Sequence, residues 1–235
     1  MSKAIDNLNM IKLFYFILIS FLSSSFSFSK EAGEVTYVRG KVMYKSKKIK
    51  TLKVFKGMVF DERSSFTTGK GAIIILDLKD GSKIKLSSRS KIQINNLKTK
   101  NKPTTTSLVT GNAFFSILKS KITKKSKFKV RTKTAALGVR GTSFFVSYGK
   151  DEVNNDIWMC VNEGLVSVRA RKVKNTTFVK AGQGVQIASH NSISEPRALA
   201  WTSRLNWNMN PLQGNIKNTV NIEDAYLDIL DQDYD

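Results

Sequence analysis

The chain has one histidine, His190, and one cysteine, Cys160, so acid–base and thiol chemistry have few places to reside. One residue of each type excludes a zinc site of Cys and His ligands within a single chain, and it excludes an intramolecular disulfide. Any Ser-His-Asp arrangement would have to use His190. That residue lies in SHNS, a polar string that reads as a solvated loop. Cys160 lies in IWMCV, where Ile157, Met159 and Val161 alternate with Trp158 and Cys160. Both faces of such a strand are apolar, so the thiol reads as buried structure and not as a nucleophile. Asp61, Glu62, Asp77 and Asp80 fall in turns or at strand edges, and Asp77 with Asp80 lacks the companions of a calcium loop. Arg140 has no nucleophile or base to work with. The expectation is a protein that recognises and does not react, with no catalytic residue, metal or cofactor.

Cations carry the strongest chemical signal. The 39 Lys and Arg outnumber 18 Asp and Glu, for a formal charge of +21. Lys41, Lys45, Lys47, Lys48, Lys50, Lys53 and Lys56 crowd one region. Lys119, Lys121, Lys124, Lys125, Lys127, Lys129, Arg131 and Lys133 crowd another, with no acid among them. In KIKL at 83–86 and KFKVR at 127–131 the cations alternate with apolar residues. Period two puts them on one side of a strand, facing solvent. Such a row is either a solvated strand face or a contact surface for a polyanion, for which the residues from Lys119 to Lys133 are the candidates. A single-sign field reaches polyanions over a Debye length of about 8 Å. Lipopolysaccharide phosphates and other anionic envelope polymers suit that chemistry. Nucleic acid suits it least: Phe114, Phe115, Phe144 and Phe145 lie in apolar strings, as core residues and not as stacking platforms.

The elements that would hold those rows are short strands. With 41% hydrophobic and 10% aromatic residues, the chain can bury a core. Period-two segments separated by Gly, Asn, Asp and Ser predict strands at 35–42, 72–78, 83–86, 91–94, 108–117, 127–131, 142–147, 157–161, 165–169, 177–179 and 185–187. The fold class is all-β, as a two-layered sandwich or a solenoid-like stack of short strands. Asp80-Gly81 predicts a tight primed turn with positive φ at both positions, and residues 96–107 read as a loop.

The two ends differ from this middle. Residues 13–22, LFYFILISFL, follow Lys12 and precede a serine-rich stretch, which is the anatomy of a signal peptide over 1–29. Ser27 and Ser29 suit cleavage before Lys30, and the chain is then periplasmic or secreted; an uncleaved N-terminal anchor is the alternative. The domain is expected over 30–190. Residues 191–220 form a C-terminal extension in which Pro196 suits a first helical turn, with Leu199, Trp201, Thr202 and Leu205 on one face. Residues 221–235 form an acidic tail with six carboxylates, leaving +27 on the rest. That tail is either frayed or an amphipathic segment lying on a basic surface.

The strand and turn residues together resemble a FecR-type domain. GEVTYVRGKV resembles the family's first repeat, followed by Gly57, TTGKGAIIILDLKDGSKIKLSSRSKIQI and LVTGNAFFSI. The most specific string is FKVRTKTAALGVRGTSFFV at 128–146, followed by VNEGLVSV and VKAGQGVQI. The resemblance runs in order over about 33–188, and it departs at Lys133, where relatives commonly carry proline. Arg140, Gly141, Thr142, Glu163 and Gly164 form its structural motif. A glycine beside a charge in strand context permits a bulge, so Arg140 and Glu163 are expected to pair across adjacent strands, partly buried. The resemblance implies a sensor-type or binding domain acting by protein–protein or envelope-polymer contacts. The partner is an unidentified envelope protein or anionic envelope polymer; a standalone polyanion-binding protein is the alternative. Relatives hold a sigma factor through a cytoplasmic N-terminal part. About a dozen residues precede the apolar run here, so a sigma factor is not the expected partner.

Overall fold

The computed structural model describes residues 30–99, 102–119, 128–149, 156–188 and 192–217. The signal peptide, the acidic tail and His190 lie outside them. The described elements belong to the compact unit Glu31–Asp235. Its strands are β1 Glu31–Arg39, β2 Val42–Lys45, β3 Leu52–Lys53, β4 Val59–Asp61, β5 Ser64–Thr68, β6 Ile73–Leu78, β7 Lys83–Leu86, β8 Lys91–Asn96, β9 Thr104–Ile117, β10 Phe128–Arg131, β11 Ala135–Val139, β12 Thr142–Tyr148, β13 Ile157–Glu163, β14 Leu165–Ala170, β15 Thr177–Lys180, β16 Gln183–Ile187 and β17 Arg197–Ala198. The all-β class is observed.

The pairings define two sheets that share one strand. One runs β4-β1-β6-β7-β9-β12-β13-β16-β17 and is antiparallel throughout. The other runs β3-β2-β5-β8-β9-β10-β11-β14-β15, antiparallel except for β9 beside β10. Strand β9 is central to both: Thr104–Thr110 pair in the second sheet and Gly111–Ile117 in the first. Gly111 makes the passage, with φ +85, and an added Cβ there would lie 2.5 Å from Ser90 Cα. Only glycine takes that backbone at that approach without strain.

Between the sheets lies one continuous core. Val35, Ile74, Leu76, Ile84, Phe115 and Phe144 from the first sheet meet Phe66, Ile92, Phe128, Val130, Leu137 and Val166 from the second. The rings of Phe115 and Phe144 stack at 4.8 Å, and Phe115 meets Phe128 edge-on at 6.1 Å. In the second sheet β10 alternates, burying Phe128 and Val130 and turning Lys129 and Arg131 outward. In the first sheet both faces are buried: β13 reads buried from Ile157 to Val161, as its doubly apolar sequence requires.

What covers the outer face of the first sheet is the C-terminal segment. Leu199, Leu205 and Met209 pack on Phe114, Phe145, Trp158 and Cys160, and Ile216 packs on Ile73 and Ile75. This strap is not a regular helix. Its only helical pieces among the described residues are 3₁₀ turns, Ala200–Arg204 and Pro211–Gln213. Pro196 precedes β17 and starts no helix.

Three further expectations are corrected. The predicted strand 35–42 is two strands, which belong to different sheets and are broken at Gly40. At the Asp80-Gly81 turn only Gly81 has positive φ. Gly81 N–H donates to Leu78 O and Leu78 N–H to Ser82 O, a longer loop in which the Asp80 carboxylate accepts from Ser82 N–H and from the Thr104 hydroxyl. The loop predicted at 96–107 ends early, because Thr104, Thr105 and Thr106 are buried strand residues. Their β-branched side chains suit a pleated surface.

Candidate anion-binding face

The second sheet leaves its outer face uncovered among the described residues. Register alone aligns Lys45, Ser65, Gln93, Ser107, Arg131, Ala136 and Arg169 in one row across seven strands. A neighbouring row carries Asn96, Thr105, Lys129, Gly138, Ser167 and Phe178. No carboxylate stands in either row. The cations Lys45, Lys129, Arg131 and Arg169 are the main donors this face offers to an anion, because the hydroxyls of Ser107, Ser167 and Thr105 already donate to Asn95 Oδ1, Gly138 O and Pro103 O.

At one end of this face the array becomes concave. Lys45, Lys47, Arg63 and Lys91 line a depression of about 380 Å³ together with Ser46, Ser64, Ser65, Gln93 and Val109. Arg63 sits at the corner between β4 and β5 with φ +59, a backbone that bulky residues rarely adopt. Strand β8 contributes Lys91 and Gln93, and β2 contributes Lys45. The Ser46 hydroxyl oxygen accepts from Ile49 N–H at 3.1 Å, which leaves its hydrogen to donate.

The sequence candidates fall in different places. Lys129 and Arg131 lie on the outer face of the second sheet. Lys133 is exposed in the turn between β10 and β11. Lys119 is exposed after β9 and packs at the Gly141 corner, so it does not share that face. Lys121, Lys124, Lys125 and Lys127 lie outside the described residues. Arg63 and Lys91 were not singled out by charge runs, because pairing across strands, and not proximity in sequence, brings them to Lys45.

The structural motif is built differently from its charges. Glu163, expected in a partly buried pair with Arg140, is exposed. Arg140 is half-buried at the end of β11. The ion pairs of 4 Å or less include Lys83 to Asp77 at 2.6 Å and Lys79 to Glu31 at 2.9 Å. What closes the corner is backbone: an added Cβ on Gly164 would stand 2.5 Å from Gly141 O, and the Thr142 hydroxyl donates to Leu165 O at 3.2 Å and Arg140 O at 3.3 Å. Cys160 is buried under the strap, and burial pushes its thiol well above the ordinary range.

One buried cation belongs to this architecture and was missed. Lys85, on β7, is 1% exposed. Its Nζ donates to Asn206 O at 2.6 Å, Asn208 O at 2.9 Å and Ile216 O at 3.3 Å, and lies 4.2 Å from the centre of the Phe114 ring. Burial lowers its ammonium to about 8. KIKL alternation had placed Lys83 and Lys85 together in solvent; no signal local to β7 announces that residues more than a hundred positions later cover it.

Residues 64–174 match the model described as FecR protein. Two crystal structures, described as "a putative anti-sigma factor from Parabacteroides distasonis ATCC 8503" at 1.65 and 2.50 Å resolution, are similar at 20% identity and a TM-score of 0.49. The similarity covers 60% and 63% of this chain, and 63% and 69% of theirs, so the first is matched over less than two thirds of its own length. No curated protein sequence matches. The matched segment runs from β5 to just beyond β14, and the two sheets continue past it at both ends. Over residues 64–174, a little under half of its length, the chain is similar to the FecR family, as its strand and turn residues suggest.

Proposed function

We propose that this protein is a non-catalytic binding or sensor-type FecR domain, exported to the periplasm or beyond, that recognises an envelope partner with the outer face of its second sheet. One observation carries the reading: the first sheet is closed on its outer face by the strap, while the second presents rows of cations and hydroxyls to solvent. A flat β-face with fixed side-chain positions recognises by matching charge and hydrogen-bond pattern, and it needs no moving part. Its partner is an envelope protein with an acidic surface or an anionic envelope polymer. The absence of carboxylates from both rows favours, as the second reading, a standalone polyanion-binding protein.

A photo-crosslinking residue placed at Arg131 or Arg169 should give adducts in whole cells. The same residue at Leu212, 92% exposed on the strap, should not. Adducts from Leu212 alone, or recovery of the chain among cytosolic proteins, would overturn the reading.

A further inference from the structure

The depression at the β2–β5–β8 end of the face differs from the rest of it in being concave and in its chemistry. Four cations, Lys45, Lys47, Arg63 and Lys91, converge there with no acidic residue in the lining. A bare cation cluster of this kind is self-repulsive, and a multivalent oxyanion relieves the repulsion while accepting charge-assisted hydrogen bonds. Three features narrow the ligand beyond a simple anion. Ser65 and Gln93 offer hydroxyl and amide groups able to both donate and accept, which suits the hydroxyls of a sugar. Val109, exposed at the edge of the depression, offers an apolar contact for the C–H face of a ring. No aromatic side chain lines the depression, so an unstacked nucleobase finds no platform.

From this we infer that the depression is a binding site for a phosphorylated saccharide, with phosphate held by Lys45, Lys47, Arg63 and Lys91 and the sugar lying over Ser65, Gln93 and Val109. The inference rests on the second sheet being the recognition face and assigns the chemical class of what it recognises. A free sugar phosphate and a phosphosugar headgroup borne on lipid share this chemistry.

Calorimetric titration of the full chain with glucose 1-phosphate, with vesicles carrying a phosphorylated disaccharide lipid, with glucose and with an oligothymidylate tests it. Binding to either phosphosugar is expected, and glucose should not bind. Tighter binding per phosphate on vesicles assigns the lipid-borne source, and equal binding assigns the free one. The triple variant Lys45→Gln, Arg63→Asn, Lys91→Gln should weaken phosphosugar binding at least about tenfold. Asn is chosen at position 63 because it tolerates positive φ. A second triple, Arg171→Gln, Lys172→Gln, Lys174→Gln, removes the same charge from the exposed segment after β14, away from the recognition rows, and should leave binding within about twofold. All substituted residues are exposed, and an unchanged melting temperature verifies folding. Equal weakening by both triples, or oligothymidylate binding as tightly per phosphate as the phosphosugars, would overturn the site. So would failure of both phosphosugars to bind. Crosslinking from Arg131 and Arg169 would persist in those cases, so loss of this inference and loss of the functional proposal are separable.

Discussion

Gly164 stands against the carbonyl of Gly141 at a distance that no side chain could share, and both residues have positive φ. The sequence placed structural weight on this pair of glycines and on their charged neighbours; the glycines meet at the corner, and Glu163 is exposed. Glycine is legible because its backbone freedom is intrinsic to the residue; where a carboxylate points is decided by the bulge between Ser143 and Phe144, which pairs Glu163 with Ser143 and leaves it exposed. Two substitutions separate the accounts. Gly164→Ala should destabilise by about 3 kcal/mol or more, since it adds a backbone clash to the roughly 1–2 kcal/mol of a left-handed L-residue. Gly182→Ala, also at positive φ but with nothing within 4 Å, should show only the smaller, conformational part. Glu163→Gln should lie within about 0.5 kcal/mol of the parent. Urea denaturation of the three variants measures all of these, and a loss of several kcal/mol in Glu163→Gln would restore the ion pair.

The strap is the element least legible in the sequence. Leu199 and Leu205 read correctly as residues that face the sheets, and both are buried. The helix expected around them is reduced to five residues of 3₁₀ structure that end at an extended Leu205, and beyond it the strap's Asn side chains take the local hydrogen bonds: Asn208 N–H donates to Asn206 Oδ1, Asn210 N–H to Asn208 Oδ1 and Leu212 N–H to Asn210 Oδ1. Such side-chain acceptors compete with a helical ladder. The strap is held instead by apolar burial and by Lys85, which gathers three of its carbonyls. Lys85→Met keeps the stem and removes the donor, leaving those oxygens unsatisfied at about 1–3 kcal/mol each before the relief of no longer burying a charge. A net loss of about 1–3 kcal/mol is expected, concentrated in the strap. Cys160 reports the location: its labelling by a thiol reagent, slow in the parent, should accelerate at least about tenfold in Lys85→Met. Unchanged labelling would mean that apolar contacts alone hold the strap. The pH dependence has a defined sign. With its folded value near 8, below the ordinary 10.5, Lys85 is neutral in the folded chain and charged in the unfolded one across that window. The unfolded state binds the extra proton there, so stability should rise with pH from about 8 to about 10.5 relative to Lys85→Met. Denaturation of both proteins at about pH 7 and about pH 10 measures the difference, and a parent that loses ground to the variant at the higher pH would contradict it.

At the scale of the molecule, period two foretold an all-β chain and the outward cations of β10, because alternation is a property of each strand by itself. The sharing of β9 between sheets and the convergence of Lys45, Arg63 and Lys91 were not legible, since register between distant strands sets them and no single segment encodes it. Two strands carry too few bulky apolar residues to stand out by alternation, Phe66 alone in SSFTT at β5 and Leu137 with Val139 in AALGV at β11, yet each occupies a middle position in the second sheet. The outcome is a sheet pair whose first outer face is packed under the strap and whose second is cationic and uncovered among the described residues. Long-range charge then belongs to the whole chain, and the six carboxylates after residue 221 offset part of it. A chain ending at Lys217 loses all six and no cation, and its formal charge rises from +21 to +27. If that field guides association, the shortened chain should bind phosphate-bearing vesicles several-fold more tightly at low ionic strength. The gain should fade as salt shortens the Debye length to about 3 Å at 1 M. Co-sedimentation across a salt series measures it. Equal binding of the two chains at low salt would show that the acidic residues do not act on the cationic face, whereas a gain that survives at 1 M salt would show that they occupy it by direct contact.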